Sequence, residues 1–340
     1  MIHFCMNSTS WDEQADTMVA GGQLDRYFRP VWDALEAMGV PYSVGRQPAR
    51  DAVNVYPNNR SAYAPGSQRN DRESVGVSHG LADKGYRQQY RFFRHVLLPG
   101  PGFAEVLRRT RFPERKLHIL GYPKLDPLLN HQVAGPERDD RIRVVYAPTH
   151  GGGSERWPEG NRAAPGAGAT SWWHRDEVTA LLDEDAFDVV TAPHPRHSPG
   201  CRATFEEYAG ADVVIADGGS TIYEAWVLGI PVVLPAWLTR ARNETRDSGR
   251  TLEARVYKRG LGYQADAPGE LADLVRRAAG EGMRPAETEF AETIVPTELR
   301  GAGGQVWAEF LAHLEDRSRP APSRRVPPQP RTRAATAGRR

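Results

Sequence analysis

The chain has 340 residues, a formal net charge of +1 and two cysteines, Cys5 and Cys201. This length is enough for two domains that each bury a core of their own. The balanced charge favours no particular charged partner, and two cysteines supply neither a disulfide framework nor a thiolate metal site. No apolar run approaches the roughly 20 residues that span a bilayer, and the N-terminus lacks the pattern of a secretory signal. We therefore expect a cytoplasmic protein without a transmembrane segment, with peripheral contact to a membrane as an open alternative.

In the first part of the chain, short apolar runs alternate with segments of helical spacing. The predicted strands are residues 2–6, 40–44, 52–55, 74–78, 95–98 and 117–120, and the predicted helices are residues 24–38, 84–93 and 103–109. This alternation is typical of a parallel sheet covered by helices on both faces. We therefore predict an α/β, Rossmann-like N-terminal domain over residues 1–127. Residues 126–140 are polar and contain a Gly-Pro pair, so we interpret them as a linker.

The second part of the chain repeats the alternation. The predicted strands are residues 143–146, 187–192, 213–215 and 231–234, and the predicted helices are residues 172–182, 205–208, 251–259, 270–279 and 304–314. We therefore predict a second Rossmann-like domain over residues 141–316. Residues 151–170 are rich in Gly, Pro and Ala and are long for a loop between a strand and a helix.

Residues 317–340 differ in composition from the rest of the chain. They contain many Arg and Pro residues and no acidic residue, so we expect a disordered basic tail. A tail of this kind can bind a polyanion such as nucleic acid, anionic lipid or an anionic polymer. The alternative is a solvated terminus with no specific role.

The most informative stretch is residues 211–234, which read as strand, turn, helix, turn and strand. Asp217-Gly218-Gly219 ends the first strand, and Ser220 or Thr221 can cap the helix that follows. Free backbone N–H groups and the positive end of a helix suit a phosphate. One turn further along, Glu224 could reach ribose hydroxyls. The alternative is an ordinary turn in a doubly wound sheet, in which Asp217 only closes the turn.

Other polar clusters also follow predicted strands, where open parallel sheets bind their ligands. They are His79-Gly80, Thr149-His150 and His194-Pro195-Arg196. We place the acceptor on the first domain, with His79 as general base and Lys84 as a nearby positive charge. We place a donor nucleotide on the second domain, where His194 and Arg196 would stabilise its diphosphate. The alternative for each histidine is a structural hydrogen bond at a strand end.

Taken in order, these segments resemble the CDP-glycerol glycerophosphotransferase family of teichoic-acid synthesis. The resemblance covers about residues 74 to 235. It runs through His79-Gly80 with Lys84, then GYPKLD at 121–126, VYAPT at 145–149, His194-Pro195, ADVVIAD at 211–217 with Ser220, and GIP at 229–231. The family pattern is roughly HG…K, G-x-P-R-x-D, Y-A-P-T, HP and D-x-S-S.

The resemblance implies a GT-B fold, in which two Rossmann-like domains face each other across the active-site cleft. It implies transfer without a metal or a cofactor, because the nucleotide-linked donor is itself the substrate, and a hydroxyl of a polymer as acceptor. It also implies catalytic roles for His79 and His194. The predicted substrate-binding residues are Gly80, Lys84, Thr149, His150, Arg196, Asp217, Gly218, Gly219, Ser220, Thr221 and Glu224.

The chain departs from the family pattern at three positions. Gly218-Gly219 stand where the family has an aromatic residue and a serine, Glu224 stands where it has Asp, and Thr149 is followed by His150. Asp-Gly-Gly followed by Glu-Ala and Gly-x-Pro is more similar to sugar-nucleotide enzymes. Two alternatives therefore stay open. One is a glycosyltransferase that acts on a glycan or a nucleic acid, and the other is a nucleotide-binding module without turnover.

Overall fold

A computed structural model provides the fold. It describes residues 1–6, 11–12, 17–18, 23–57, 72–78, 80–81, 90–137, 139–149, 170–194, 204–245 and 249–318. Four predicted site residues, His79, Lys84, His150 and Arg196, lie outside the described residues. So do residues 319–340, which make up most of the predicted tail, whereas residues 317 and 318 belong to a helix.

The first half of the chain builds a six-stranded parallel sheet. The strands are β1 (Ile2–Cys5), β2 (Trp11–Asp12), β3 (Thr17–Met18), β4 (Tyr42–Gly45), β5 (Val53–Tyr56), β6 (Glu73–Val77), β7 (His95–Leu98) and β8 (Leu117–Ile119). Six of them lie in the order β4-β1-β5-β6-β7-β8, while β2 and β3 form a separate antiparallel pair. The inner strands are buried on both faces, as continuous apolar runs in a covered parallel sheet require.

The second half of the chain builds a five-stranded parallel sheet. Its strands are β9 (Ile142–Ala147), β10 (Phe187–Thr191), β11 (Val213–Ala216), β12 (Val232–Pro235) and β13 (Tyr263–Ala265), in the order β10-β9-β11-β12-β13. In each sheet the strand that comes first in the chain, β1 or β9, lies second from one edge. The strand order therefore changes direction between β9 and β11, which is the position where ligands bind in sheets of this kind. The predicted α/β class with two parallel sheets is confirmed.

Helices connect the strands and cover the sheets. In chain order they are α1 (Gln23–Ala37), α2 (Pro101–Arg108), α3 (Asp126–Leu129), α4 (Arg175–Thr179), α5 (Thr204–Glu207), α6 (Ser220–Val227), α7 (Ala236–Thr245), α8 (Leu252–Lys258), α9 (Leu271–Glu281), α10 (Pro285–Ile294) and α11 (Gly303–Ser318). Within the described ranges, none of them is long and apolar enough to cross a membrane.

Several predicted boundaries were wrong. The predicted linker at 126–140 begins with α3, and the helix predicted at 172–182 is a 3-10 turn, Ser171–His174, followed by the short α4. Of the helix predicted at 84–93, residues 84–89 lie outside the described ranges, and Tyr90–Phe92 form a 3-10 turn. The sequence did not predict α7 or α10 as helices.

The two sheets share one continuous apolar core. A single cluster of buried side chains runs from Phe4 in β1 through Tyr122 to Trp226 in α6 and Trp307 in α11. A second cluster, around Val144 and Tyr146, fills the other face of the second sheet. The domain boundaries at 127 and 141 stay predictions, because the packing runs through both halves of the chain.

The last described helix, α11, packs against α1 of the first half. Trp307 lies edge-on to Tyr27, with ring centroids 5.7 Å apart. At the start of α11, Gly304 lies so close to α1 that a Cβ there would meet the carbonyl oxygen of Pro30 at 2.6 Å. Glycine at this position therefore allows the two helices to approach each other.

We predict that Gly304→Ala lowers the free energy of unfolding by about 1–3 kcal/mol, because the added methyl group forces α1 and α11 apart. Gly280→Ala in α9 is the matched control, since a Cβ there meets no atom within 4 Å. The control should be stabilising by up to about 1 kcal/mol, because Ala favours a helix interior over Gly. Urea unfolding measures both changes, and equal effects of the two substitutions would contradict the close packing.

A buried carboxylate holds the start of the same helix. Asp126 is 5% exposed, and its Oδ2 accepts a 2.6 Å hydrogen bond from the backbone N–H of Gly304. Burial raises the pKa of Asp126 to about 6, although the amides of Gly303 and Gly304 partly oppose this shift. The folded chain therefore binds a proton at Asp126 more tightly than the unfolded chain does.

Because this pKa is higher in the folded state, the contribution of Asp126 to stability is fully present below about pH 4 and is lost as the pH rises to about 6. We predict that the difference in unfolding free energy between the wild type and Asp126→Asn falls by about 2–3 kcal/mol across this window. Denaturant unfolding at a series of pH values measures the difference. A difference that does not vary between pH 4 and pH 6 would exclude an elevated pKa.

Candidate functional site

The candidate site is built around the turn that joins β11 to α6. Gly218 and Gly219 have φ values of 155° and 76°, which side-chain-bearing residues rarely adopt. Their conformation turns the chain sharply, so that α6 begins directly beyond the carboxyl end of β11. The predicted order of strand, glycine turn and helix is present over Val213–Val227.

Asp217 fastens this turn to two neighbouring segments. Its carboxylate is fully buried, and Oδ1 accepts hydrogen bonds from the backbone N–H (2.7 Å) and the hydroxyl of Thr149. Oδ2 accepts from the backbone N–H (2.7 Å) and the hydroxyl (2.9 Å) of Ser171. All these donors come from the protein itself. The carboxylate therefore connects the ends of β9 and β11 to the segment before α4, and its predicted contact with a substrate stays a prediction.

The backbone of the turn is held from the other side as well. The carbonyl oxygen of Asp217 accepts hydrogen bonds from Asn243 Nδ2 (2.6 Å) and from the Tyr257 hydroxyl (3.2 Å). Burial raises the pKa of Tyr257 well above its ordinary value. The phenol therefore stays protonated and can act as a donor to this carbonyl oxygen.

Two polar groups at the start of α6 already donate hydrogen bonds within the protein. The Gly219 N–H donates to Glu253 Oε1 at 2.5 Å, and the Thr221 hydroxyl donates to the Gly218 carbonyl at 3.1 Å. The first amides of a helix have no partner within the helix, and the positive end of the helix dipole lies beside them. Ser220, at the first position of α6, is half-buried. An anion at this end of α6 would therefore meet the Ser220 hydroxyl and the helix amides that follow Gly219.

The loop after β6 of the first sheet lies against this helix start. A Cβ at Gly80 would be only 2.8 Å from Ser220 Oγ, so the backbone of Gly80 lies against the side chain of Ser220. The hydroxyl of Ser78 donates to the Gly80 carbonyl at 2.6 Å and thereby fixes the local turn. The structure thus brings together two predicted site residues, Gly80 and Ser220, from opposite halves of the chain.

Glu224 lies one turn further along α6 and is enclosed. The residue is 1% exposed, and Oε1 accepts hydrogen bonds from the Tyr122 hydroxyl (3.0 Å) and Lys124 Nζ (2.7 Å). The Tyr208 hydroxyl lies 3.4 Å from Oε2. Burial and the nearby Glu224 charge together raise the pKa of Tyr208 well above its ordinary value. The ribose contact that the sequence suggests for Glu224 would need one of these protein donors to move away.

Two further charged or titratable side chains follow strands at the carboxyl-end side of the second sheet. His194 is half-buried and follows β10 by three residues. Arg242, in α7, has Nη1 3.5 Å from the position that a Cβ on Gly218 would occupy, and it donates to Asn243 Oδ1 at 3.0 Å. The guanidinium of Arg242 therefore supplies positive charge beside the glycine turn.

Sequence reasoning missed five residues that shape this site: Ser171, Asn243, Glu253, Tyr257 and Arg242. Each lies far from the glycine turn in sequence and reaches it only through the packing of α7, α8 and the segment before α4. The only available signal was the cationic pair Arg240 and Arg242, which follows the strand β12 by a few residues. Tyr122 and Lys124 were recognised as parts of a motif, but their contact with Glu224 was not expected.

Comparison with known proteins finds solved structures of similar fold, but it finds no sequence family. No protein-family model matches the chain, and none of the curated proteins matches it either. Among solved structures, the wall teichoic acid polymerase TagF superposes with a TM-score of 0.59 at 12% sequence identity, covering 93% of this chain and 89% of that chain. The chain is similar in fold to this polymerase. A TagF variant soaked with CDPG gives a TM-score of 0.58 with the same identity and coverage.

UDP-GlcNAc 2-epimerase from Methanocaldococcus jannaschii, in complex with UDP-GlcNAc and UDP, gives a TM-score of 0.49 at 10% identity, covering 92% of this chain and 99% of that chain. This second likeness is too weak to support an argument. At 12% identity, the likeness to TagF establishes the fold alone. It agrees with the GT-B fold that the sequence motifs imply, and that expectation is confirmed.

We predict that Gly80→Ala lowers the melting temperature, because the new Cβ would collide with Ser220 Oγ. Ser220→Gly removes the hydroxyl, so Gly80→Ala should be less destabilising in that background. A double-mutant cycle in thermal unfolding should give a coupling of about 1 kcal/mol. If Gly80→Ala has the same effect in both backgrounds, the loop after β6 does not touch α6 in solution.

Proposed function

We propose that the chain is a GT-B transferase that uses a nucleotide-activated donor. Our preferred reaction is the transfer of glycerol phosphate, or a related polyol phosphate, from a CDP-linked donor to a hydroxyl of a polymer. The observation that carries this proposal is the approach of Gly80 to Ser220, because it joins a proposed acceptor loop to a proposed phosphate site. The order of the motifs and the fold likeness to TagF support the reaction class.

In this reaction the acceptor oxygen attacks the phosphorus that carries the polyol. The bond from that phosphorus to the bridging oxygen of the diphosphate breaks, and CMP leaves with the electron pair. His79, next to Gly80 in the chain, is the proposed base that takes the proton of the acceptor hydroxyl. No metal or cofactor enters the proposal.

The donor diphosphate is proposed to bind at the start of α6. The Ser220 and Thr221 segment would contribute hydroxyl and amide donors, since a helix N-terminus attracts anions. His194 and Arg196 keep their predicted roles at the diphosphate, and Arg242 joins them because its guanidinium lies beside Gly218. Glu224 is left out of the binding set, because its carboxylate is enclosed by Tyr122, Lys124 and Tyr208.

One observation favours a second candidate, a glycosyltransferase that uses a sugar nucleotide. The backbone of Gly218-Gly219 is held in conformations that only glycine adopts easily. The glycerophosphotransferase pattern has an aromatic residue and a serine at these positions, and those residues would not easily adopt the same backbone conformation. In that reaction the acceptor oxygen would attack the sugar carbon, and a nucleoside diphosphate would leave. The acceptor would be a glycan or a nucleic acid.

The basic tail and the cellular location extend the proposed function. We propose that residues 317–340 bind a polyanion and that the enzyme works in the cytoplasm or at a membrane surface. Comparing the full chain with a chain that ends at residue 318 tests the tail. Unchanged affinity for DNA, anionic vesicles and a polyphosphate would exclude its role.

We predict that CDP raises the melting temperature in a screen of CDP, UDP, GDP, ADP and TDP without added metal, since a ligand that binds only the folded state stabilises it. A shift confined to UDP, GDP or TDP would support the glycosyltransferase instead. Another outcome is that the protein binds a nucleotide but releases neither CMP nor a nucleoside diphosphate from any activated donor. That result would support the third alternative, a nucleotide-binding module without turnover. No shift with any nucleotide would contradict the phosphate site.

We further predict that Arg242→Ala weakens CDP binding by about 10- to 100-fold, which corresponds to the loss of one hydrogen bond to a charged group. Arg276→Ala is the matched control, because Arg276 lies in α9, where it pairs with the exposed Asp273 and lies over the ring of Phe187. Titration calorimetry measures both affinities. An equal effect of the two substitutions would remove Arg242 from the site.

A further inference from the structure

The ion pair between Lys124 and Glu224 joins the two halves of the chain at a buried point. Lys124 Nζ lies 2.7 Å from Glu224 Oε1, and the two side chains are 14% and 2% exposed. Lys124 belongs to the 3-10 turn Pro123–Leu125, which follows β8 of the first sheet. Glu224 belongs to α6, which follows β11 of the second sheet. The contact therefore connects the carboxyl-end side of both sheets.

The residues around this pair extend the connection. The Tyr122 hydroxyl donates to the same carboxylate, and the Tyr208 hydroxyl lies 3.4 Å from both Glu224 Oε2 and the Thr221 carbonyl oxygen. Two residues beyond Lys124, Asp126 binds the start of α11. The segment 121–126, which we call the junction segment, thus holds α6 through two side chains and α11 through a third.

This arrangement fixes the position of the first turn of α6 in space. Ser220 and Glu224 are four residues apart, so they lie about one helical turn, or roughly 6 Å, from each other along α6. A helix of only eight residues is a short rigid body. Fixing Glu224 against the junction segment therefore also fixes the position of Ser220 against Gly80, which belongs to the first sheet's loop after β6.

The enclosure of Glu224 argues against direct contact with a ligand. Its carboxylate already accepts hydrogen bonds from Tyr122 and Lys124, and the residue is 1% exposed. A buried charge that loses its ionic partner is strongly unfavourable, so the carboxylate has little freedom to turn toward a ribose. Both members of the pair need each other in the folded chain.

We propose that Glu224 is a positioning residue: through its ion pair with Lys124 it fixes the start of α6 against the loop after β6, so that the donor phosphate site and the acceptor loop form as one unit. This proposal rests on the proposed transferase function. It assigns Lys124 and Glu224 a joint role, so that changing either should have the same consequence for catalysis.

The test compares Lys124→Met, Glu224→Gln, the double variant and the conservative Lys124→Arg. We expect each single neutral substitution to lower kcat by about 10²-fold at saturating donor, because a small displacement of the reacting groups has an effect of this size. The double variant should be no slower than either single variant, since it leaves no unpaired buried charge. Lys124→Arg should keep most of the activity. Additive losses in the double variant would overturn the proposal.

The matched control is Arg255→Gln, which removes a second ion pair between the two halves. Arg255 in α8 pairs with Glu105 in α2 at 2.7 Å, with side chains 23% and 46% exposed. The pair includes no residue of the junction segment or of α6, so its loss should change kcat by less than about threefold. An equal loss of kcat in this control would mean that any weakening of the contact between the halves slows the reaction, which would overturn a specific role for Glu224.

A second measurement separates positioning from ribose binding and needs only the double variant to fold. Affinities for CDP and for 2′,3′-dideoxy-CDP are compared in the wild type and in Lys124→Met with Glu224→Gln. If Glu224 positions α6, the ratio of the two affinities is the same in both proteins. If Glu224 binds ribose, the ratio falls toward one in the double variant, and the proposal is wrong. Failure of the wild type to bind CDP at all would instead contradict the proposed function.

Discussion

The buried carboxylate of Asp217 is the constraint on which the candidate site depends. It accepts four hydrogen bonds from the backbone and hydroxyl groups of Thr149 and Ser171, and its own carbonyl oxygen accepts two more. A buried carboxylate is tolerated only when its oxygens accept hydrogen bonds in this way. The same bonds bring the ends of β9 and β11 together at the point where the strand order reverses. The base of the glycine turn is therefore held from both sides.

Three polar side chains of the junction segment explain how the two sheets act as one protein. Tyr122 and Lys124 reach α6, while Asp126 reaches α11, so a stretch of six residues contacts one helix that follows β11 and another that packs on α1. The apolar core continues through the same region. A cleft between two sheets needs such a connection, because catalysis requires a fixed distance between groups that lie on different units.

The sequence predicted every strand of the two sheets except β13, but it did not predict the contacts between the sheets. The apolar run Val213–Ala216 is followed by Asp-Gly-Gly, and Val232–Pro235 is preceded by Gly-Ile-Pro. This local contrast predicts buried strands directly. Helix α7 begins straight after Pro235 and contains few apolar residues, so periodicity gives no sign of it. The partner of Glu224 lies a hundred residues earlier in the chain, and no local pattern carries that information. For the same reason the sequence suggested a ribose contact where the structure has an ion pair.

The packing of α11 on α1 has a consequence for how the chain folds during synthesis. The ribosome makes residues 23–37 early and residues 303–318 near the end, yet Tyr27, Phe28 and Trp307 complete one aromatic cluster. Until α11 emerges, the nascent chain exposes the apolar face of α1 that this helix covers. Many two-domain proteins complete their N-terminal domain before the C-terminal one is made. The first sheet of this chain cannot, because α11 must be made before its packing is complete. Its last layer arrives only after the second sheet has been made.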